Sequence, residues 1–451
     1  MGNKGVAKCS PFGYYADTMK RLIKKFLPKQ FILTYHYLLA NLANVFYGKP
    51  SEKLIVIGVT GTSGKSTVIE LISAILEKSG KKVGAATTIK FKIGGKEVSN
   101  DKKMTMVGRF QLQKMLSRMV KDKCDYAIVE TTSEGIEQFR HIGIHYDVCV
   151  FTNLYPEHID SHGSFENYKR AKLKLFKKFQ YSKAKVLYGK KIPRTIVANL
   201  DDEFAPEFLG FSVDKKLGFT LGKNYDITGV EEVLASDISH GIRHAFTVDQ
   251  NEIEIKLLGS HNIYNALCAY SVGRALGITP SVIKAALKSV EKIPGRIEFV
   301  SREPNVIVDY AFEPKAMKKL YLVVQDIKKG RIIHVLGTTG GGRDKERGKL
   351  LGQYVGKNAD IVFATNEDPY DDDPKELMMR VFNGCLESGK KEGLNLFAIL
   401  DRQEAIKKAL NTARNNDIVL ITGKGSESKI VVQNNRMIDF SDADVVKKEL
   451  G

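Results

Sequence analysis

A glycine-rich turn between an apolar strand and a helix constrains this chain more than any other feature. The turn is Gly58-Val-Thr-Gly-Thr-Ser-Gly-Lys-Ser-Thr67; the apolar run 54–57 precedes it and a helical pattern over 66–79 follows. In such a unit, backbone N–H groups and the helix N-terminus face a bound phosphate. The generic pattern has Gly where this chain has Val59, and a plain hairpin turn is the alternative. The strand, the Lys-Ser pair and the helix together favour a phosphate-binding loop.

The side chains of this turn predict a nucleotide and a magnesium ion. Lys65 would reach the β- and γ-phosphates, and the Ser66 hydroxyl would bind Mg²⁺. Glu130 ends the apolar run 126–129, and an acid at such a strand end commonly holds Mg²⁺ or its waters. The predicted nucleotide-binding residues of the loop are Gly61, Thr62, Ser63, Gly64, Lys65, Ser66 and Thr67.

Charge and cysteine usage narrow the class of protein. The net charge is +18, but the basic residues are spread along the chain, without an Arg-rich arm or an aromatic RNA-binding motif. We therefore expect no nucleic-acid partner. Anionic substrates and an anionic membrane explain the charge equally well, and a solvated lysine-rich surface is the simplest explanation. The five scattered cysteines form no CxxC pair, which indicates reduced residues in a cytoplasmic protein.

The N-terminal 50 residues predict a basic, amphipathic helical segment. Five basic residues lie within 20–29, and the stretch 31–47 has no charged residue but is short for a membrane span. Its polar and apolar residues fall on opposite helical stripes. A helix docked on the protein's own core and a helix in peripheral contact with a membrane, at the inner face and through residues 20–47, both fit. The apolar stripe is Phe31, Tyr35, Leu38, Leu42 and Val45.

Alternating strands and helices predict an α/β protein in which a P-loop parallel-sheet ATPase domain, 51–296, precedes a Rossmann-like domain, 297–451. Within the first of these domains, the region 213–258 is rich in short strands, which indicates an antiparallel insertion or a sheet edge. The predicted helices are 66–79, 109–121, 262–276 and 280–291. The predicted strands are 54–58, 83–87, 126–130, 148–153, 195–199, 227–230, 244–248, 253–258, 306–308, 332–336, 361–364, 396–399 and 418–421.

A polar cluster, Thr152-Asn-Leu-Tyr-Pro-Glu-His-Ile-Asp-Ser-His-Gly163, follows the strand 148–151, and open α/β sheets bind ligands at such positions. Its histidines and acids fit either a metal site or a satisfied polar loop. The basic helix start 167–176 follows. By its charges alone this helix is typical of a solvated face.

These motifs, in this order, resemble the Mur ligase family of ATP-dependent acid–amino acid ligases from about Ser51 to the C-terminus. The matching motifs are Gly61-Thr-x-Gly-Lys-Ser66, Thr152-Asn-Leu154, His158-x-Asp-x-His-Gly163, Asn199-Leu-Asp-Asp202, Asn262-x-x-Asn265, Pro294-Gly-Arg296, Asp309-Tyr-Ala311, Gly340-Gly-Gly-Arg-Asp344, Asp401-Arg402 and Gly423-Lys-Gly425. The resemblance implies a ligase that joins an amino acid to a carboxylate acceptor, a small-molecule cell-wall precursor of the muramoyl-peptide type. ATP would activate that acceptor as an acyl phosphate.

The resemblance also implies roles for single residues. Lys65, Glu130, His158 and Lys172 would be catalytic, and Ser66, Glu130, His158 and Lys172 would serve two Mg²⁺ ions, with Lys172 carbamylated. Asn153 and Asn265 would lie near adenine, Asp309 at the ribose and Arg296 at the phosphates. Arg343, Asp368, Tyr370, Gly423 and Glu427 would hold the incoming amino acid.

The chain departs from the family in three informative ways. The family's N-terminal UDP-binding domain has no counterpart in the first 50 residues. The motif Asp-Asn-Pro-Arg of diaminopimelate-adding members reads Glu367-Asp-Pro-Tyr370, with acids at 371–373. Those acids favour a basic amino acid, or they belong to a solvated loop and helix start. Ser426 and Phe312 each replace a family histidine, which points to a divergent acceptor pocket.

Two other functions stay open from the sequence alone. A folylpolyglutamate-synthetase-like ligase also lacks the UDP-binding domain, but the run from Asn153 to Gly163 and the glycines at 340–342 favour the peptidoglycan branch. A membrane-recruited nucleotide-binding scaffold would be expected to have lost the lysines and metal ligands, which are all present here.

Overall fold

The structure is a computed structural model that describes residues 28–157, 159–239, 244–342 and 345–451. Its largest sheet has, in spatial order, β13-β12-β11-β10-β9-β6-β1-β5-β2-β3-β4. From β11 to β2 neighbouring strands run parallel, and antiparallel strands extend both edges. The strands are β1 (Ile55–Thr60), β2 (Val83–Ala86), β3 (Lys90–Ile93), β4 (Lys96–Ser99), β5 (Tyr126–Glu130), β6 (Val148–Phe151), β9 (Thr195–Asn199), β10 (Lys215–Leu221), β11 (Glu231–Ser239), β12 (His244–Val248) and β13 (Asn251–Ile255).

Helices cover both faces of this sheet, as its doubly buried central strands require. On one face, α2, α8 and α9 share a core with β1 and β10; on the other, α3, α6 and α7 share a core with β5 and β6. The short helices α4 and α5 lie beside the second group. Their bounds are α2 (Lys65–Lys78), α3 (Arg109–Lys121), α4 (Ser133–Glu137), α5 (Ile159–His162), α6 (Phe165–Phe179), α7 (Ala205–Leu209), α8 (His261–Ala275) and α9 (Pro280–Ser289).

The second sheet has the order β14-β15-β19-β16-β17-β18 and is parallel except for β14. Helices α10, α11 and α12 cover one face, and α13 and α14 the other. The elements are β14 (Glu298–Arg302), β15 (Asn305–Asp309), β16 (Ile332–Leu336), β17 (Ile361–Ala364), β18 (Leu396–Ala398), β19 (Ile418–Thr422), α10 (Pro314–Ile327), α11 (Lys345–Asn358), α12 (Pro374–Glu387), α13 (Arg402–Thr412) and α14 (Asp442–Leu450). Two hairpins stand apart, β7 (Lys185–Leu187) with β8 (Lys190–Ile192) and β20 (Lys429–Val432) with β21 (Arg436–Asp439).

The first described helix, α1 (Lys29–Phe46), docks through its small residues rather than its large ones. Ala40 and Ala43 are fully buried, while the apolar stripe predicted from the sequence stays exposed. Phe31 is 68% exposed and Leu38 is 60% exposed. Within the described residues, no helix combines the length and apolarity needed to cross a membrane.

The predicted α/β class is confirmed, and so are most elements, several to the residue. One strand prediction is wrong, because 227–230 is irregular and β11 begins at Glu231. Of the two alternatives for 213–258, the structure shows the sheet edge: β10 and β11 pair in parallel at one side of the large sheet, and β12 then reverses direction. The sequence of β11 to β13 alternates in burial, as expected for an edge with one solvated face.

Candidate active site

The phosphate-binding loop lies at the carboxyl end of β1, where the sheet order reverses between β5 and β6. Two of its glycines admit no side chain. A Cβ on Gly61 would lie 1.9 Å from Thr152 Oγ1, and one on Gly64 would lie 2.4 Å from Asn265 Oδ1. Gly64 also has φ +82°, in the left-handed region that favours glycine. The loop is therefore a close backbone cradle at the start of α2.

Lys65 begins α2, and its ammonium folds back across the cradle. The Nζ atom donates to the carbonyl oxygens of Gly61 at 3.1 Å and Thr62 at 2.8 Å. The Lys65 ammonium and the free N–H groups at the N-terminus of α2 lie on the same loop, and both favour a bound anion.

Ser66 and Glu130 form an oxygen pair at the base of the cradle. The Ser66 hydroxyl donates to Glu130 Oε2 at 2.9 Å, and the backbone N–H of Thr88 donates to the same oxygen at 2.8 Å. Both side chains are buried. A hydroxyl next to a carboxylate is a donor set that Mg²⁺ prefers, with phosphate oxygens and waters completing its shell.

Asn153 fastens the cradle to the loop after β6. Its Oδ1 accepts from the backbone N–H of Ser63 at 2.9 Å, and its carbonyl oxygen accepts from that of Thr62 at 2.8 Å. Asn265, on α8, touches the cradle from the other side through Gly64 and donates to Asn262 Oδ1. Both asparagines thus lie against the loop predicted to hold the nucleotide.

Lys172 is buried beneath the same loop. Its Nζ donates to Gly61 O at 2.9 Å and lies 4.3 Å from the centre of the Tyr168 ring. Burial, with the nearby Lys65 ammonium, lowers the pKa of Lys172 far below its usual range. His158, predicted beside it as a metal ligand, lies outside the described residues.

The link between the two sheets packs backbone against backbone. Gly295 has φ +64°, and a Cβ there would lie 2.0 Å from Ser426 N. Arg296 stacks on the Tyr310 ring at 4.5 Å. Both oxygens of Asp309 accept backbone N–H groups, from Ile297 and Ala311, each at 2.7 Å. Burial raises the pKa of Asp309, and the Arg296 charge opposes that rise.

A pocket of carboxylates lies at the carboxyl end of the second sheet. Asp368 accepts from Lys424 Nζ at 2.9 and 3.0 Å and from Lys103 Nζ at 2.8 Å. Glu427 pairs with Lys424 at 3.0 Å and also with Lys103. Glu367, fully buried, accepts from the Thr339 hydroxyl at 2.5 Å, and burial raises its pKa. Tyr310, Phe312, Tyr370 and Gly423 complete the lining.

The acids at 371–373 do not line this pocket. All three are exposed, and each accepts a backbone N–H: Asp371 from Asn434, Asp372 from Gly341 and Asp373 from Lys375 at the start of α12. The structure thus supports the loop-and-helix-start alternative for them. Arg343, predicted in the amino-acid site, is outside the part of the chain that the structure describes.

Models of two families match the chain: the Mur ligase middle domain over residues 59–273, and the Mur ligase, glutamate ligase domain over residues 295–425. The chain belongs to the Mur ligase family. It is an ATP-dependent ligase that forms carbon–nitrogen bonds, and the family uses Mg²⁺. The cradle fits the nucleotide phosphates, and the Ser66–Glu130 pair fits Mg²⁺.

Relatives of this Mur ligase match over most of their length. A UDP-N-acetylmuramoyl-L-alanyl-D-glutamate–2,6-diaminopimelate ligase from Clostridium botulinum is 32% identical over 91% of this chain and 80% of its own. A UDP-N-acetylmuramyl-tripeptide synthetase from Roseiflexus sp. is 34% identical over 87% of this chain and 78% of its own.

Solved structures agree in fold. The structure of a UDP-N-acetylmuramoyl-L-alanyl-D-glutamate–2,6-diaminopimelate ligase is 26% identical, with a TM-score of 0.58 over 88% of this chain and 78% of that one. The folylpolyglutamate synthase of Mycobacterium tuberculosis has a TM-score of 0.65 over 86% of this chain and 92% of that one. Its 15% identity shows a shared fold alone.

The sequence assigns no role to three residues that shape the Mur ligase site, although two of them, Lys424 and Arg402, stand in family motifs. Lys103 enters the carboxylate pocket from the first domain, although it stands in a polar stretch without a motif. Lys424 was seen only as part of a glycine motif. Arg402 forms a bidentate pair with Asp442 at 2.8 Å and supports the strand end at Thr422, which only the fold reveals.

Proposed function

We propose that the ligase joins a basic amino acid to the free carboxylate of a muramoyl-peptide-type cell-wall precursor, with release of ADP and phosphate. The observation that carries this is the pairing of two different sites. A phosphate cradle with an oxygen pair for Mg²⁺ ends the first sheet, and a carboxylate-lined pocket ends the second. The named relatives, at 32% and 34% identity, support the cell-wall acceptor.

The chemistry needs activation, because a free carboxylate has no adequate leaving group. An acceptor oxygen attacks the γ-phosphorus of ATP and ADP departs, which gives an acyl phosphate. The amine of the amino acid then attacks the acyl carbon, phosphate departs, and the amine nitrogen loses its proton. The Lys65 ammonium and the N–H groups of residues 61–67 stabilise the charge on the transferring phosphoryl group. Closure of the second domain excludes water from the acyl phosphate.

For the metal, we propose two Mg²⁺ positions. Ser66 and Glu130 hold one, and His158 with a carbamylated Lys172 holds the other. The burial of the Lys172 amine against Gly61 O supports its role beside the phosphates. A ¹³C NMR spectrum in ¹³C-bicarbonate should contain a carbamate signal that the Lys172→Ala variant lacks. The same spectrum from both proteins would contradict the carbamylation.

For the remaining substrate contacts, we propose the roles that the family motifs imply. Asn153 and Asn265 lie near adenine, Asp309 at the ribose and Arg296 at the phosphates. The amino acid binds between Arg343, Asp368, Tyr370, Gly423 and Glu427. Tyr370 replaces the arginine that would grip a distal carboxylate, and the lining is rich in carboxylates, so a basic side chain is favoured over diaminopimelate.

A phosphate-release assay with mass spectrometry of the products tests this function. It crosses a panel of amino acids with UDP-N-acetylmuramoyl-dipeptide or dihydrofolate in the presence of ATP and Mg²⁺. We expect release that requires the muramoyl acceptor and is fastest with lysine or ornithine. Release that requires dihydrofolate would establish the folate-type reaction instead, and ligation of diaminopimelate alone would overturn the basic amino acid.

We also propose that the enzyme is cytoplasmic, as its proposed substrates are, and that it contacts the inner face of the membrane through residues 20–47. The exposed apolar stripe of α1, next to five basic residues in the sequence, fits an anionic lipid surface. Flotation with anionic vesicles should carry the full chain and lose a Leu38→Glu, Leu42→Glu variant. Leu394→Glu, at an equally exposed site of the second domain, is the matched control. Equal flotation of all three proteins would reject the contact.

A further inference from the structure

Lys103 reaches from the first domain into the carboxylate pocket of the second. It lies in the irregular segment between β4 and α3, with φ +52°, a left-handed conformation that is uncommon for lysine. Its side chain is only 10% exposed and pairs with Asp368 and Glu427, which are 265 and 324 residues away in the sequence. The contact therefore exists only when the two domains stand together.

The other ammonium of the pocket, Lys424, belongs to the second domain itself. It is completely buried, pairs with the same two carboxylates and donates to a backbone carbonyl. Asp368 also accepts the backbone N–H of Val431 at 2.8 Å. These contacts are internal to one domain, so Lys424 and Asp368 stay together when the first domain withdraws.

The charges of the pocket balance only with a second cation. Asp368 and Glu427 carry two negative charges and Lys424 supplies one positive charge, while the buried Glu367 stands beside them. A buried charge without a partner is unfavourable, so the pocket attracts another ammonium. Lys103 supplies it from the first domain. Burial and the Lys424 charge lower the pKa of Lys103, while the Glu427 and Asp368 charges oppose that fall.

We propose that Lys103 is a specificity-determining residue: its ammonium holds the place between Asp368 and Glu427 that the side-chain ammonium of the incoming basic amino acid takes. This rests on the proposed function. A basic side chain replaces one cation by another and keeps the pocket balanced. A neutral side chain cannot pair with the two carboxylates, so Lys103 keeps its place when such a side chain binds. Lys103 thus competes only with side chains that carry a second ammonium, and it sets how strongly the pocket favours them.

The test compares Lys103→Met with the wild type for lysine and for norleucine, its uncharged analogue. With the competitor removed, the KM for lysine should fall about tenfold, as for a site that Lys103 fills about nine-tenths of the time. The KM values for norleucine and ATP should stay within about twofold, a split that general loss of structure would not produce. Lys103→Arg should behave as the wild type. Lys102→Met is the matched control, since Lys102 is exposed and pairs with the adjacent Asp101.

A rise in the lysine KM of Lys103→Met, or no change, would overturn the proposal. Calorimetry of free lysine binding, with ADP present, gives a second readout that does not need turnover. Tighter lysine binding by Lys103→Met supports the proposal even if no acceptor is ligated, whereas absence of ligation with every acceptor contradicts the proposed function instead. The two failures are therefore distinguishable.

Discussion

The two halves of the candidate site are built in opposite ways. The phosphate cradle comes from one continuous stretch, Gly61–Ser66, braced by single residues such as Asn153 and Asn265. The carboxylate pocket is assembled from distant parts of the chain, since Lys103, Asp368 and Glu427 have no sequence proximity. A site built from one stretch of chain is rigid and can be recognised in the sequence as a motif. A site built from distant residues depends on how the two domains meet. We expect substrate selectivity to reside in the half that depends on assembly.

The largest effect should come from the contiguous half. Lys65→Ala removes a preorganised cation from the phosphates, and the ligation rate should fall by roughly 10²-fold or more. Steady-state kinetics with saturating ATP checks this. Lys78→Ala, at the exposed last turn of the same helix, should leave the rate unchanged. Near-normal ligation by Lys65→Ala would remove the cradle from the mechanism.

A smaller effect, on the KM for ATP, should distinguish the role of the left-handed backbone at a glycine from the role of its close packing. Gly64 and Gly80 share almost the same φ, +82° and +80°, but only Gly64 faces a neighbour, Asn265. Gly64→Ala should raise the KM for ATP roughly 30-fold, because the new Cβ displaces the loop. Gly80→Ala should cost about 1 kcal/mol of stability and leave that KM unchanged. If both variants raised the KM equally, close packing at Gly64 would not be the cause.

A change in the carboxylate pocket should alter the KM for the amino acid rather than the KM for ATP. Asp368→Asn removes a charge that two ammonium groups share, so the KM for a basic amino acid should rise about tenfold while the KM for ATP stays constant. Asp371→Asn is the control, since its carboxylate is exposed and accepts from one backbone N–H. A tenfold change in the KM for ATP would show that the two halves are not separate.

The smallest effect is one of pH. Burial would raise the pKa of Asp368, but the Lys424 and Lys103 ammonium groups outweigh it and hold the pKa below the usual 3.8. A depressed carboxyl pKa contributes stability that is present above the unfolded value and lost as the pH falls through the folded one. The difference in unfolding free energy between wild type and Asp368→Asn should therefore be constant from about pH 7 to 5. Urea unfolding measures it; a difference that shrinks within that range would contradict the low pKa.

The periodicity of apolar residues was sufficient to predict individual strands and helices. The strands Tyr126–Glu130 and Thr195–Asn199 and the helix Arg109–Lys121 have their predicted bounds, since buried strands and amphipathic helices carry a clear period. The strand expected at 227–230 failed because a short apolar run does not distinguish a strand from an irregular turn. Lys103 could not be predicted, because no period or motif records a contact between residues more than 260 positions apart.

The family motifs identify site residues but do not show which hydrogen bonds those residues make within the fold. Asp309 was expected at a ribose, and its two oxygens also fasten the backbone at Ile297 and Ala311. The acids at 371–373 were read as pocket or loop, and their backbone partners decide between the two. Such contacts depend on which N–H groups the fold leaves without partners, and this is not visible in residue order.

The contact of Gly295 with Ser426 bears on how this enzyme can be recombined. At that joint the chain linking the domains touches a loop of the second domain with no room for a side chain on Gly295, and a Cβ on Gly425 would lie 2.7 Å from Tyr310 Cβ. The contact is made by backbone atoms, so it should tolerate changes in most neighbouring side chains. It has no space for a methyl group on either glycine. A chimaera that grafts another amino-acid-selecting domain onto this ATPase must therefore carry both glycines across the splice, whatever else it exchanges.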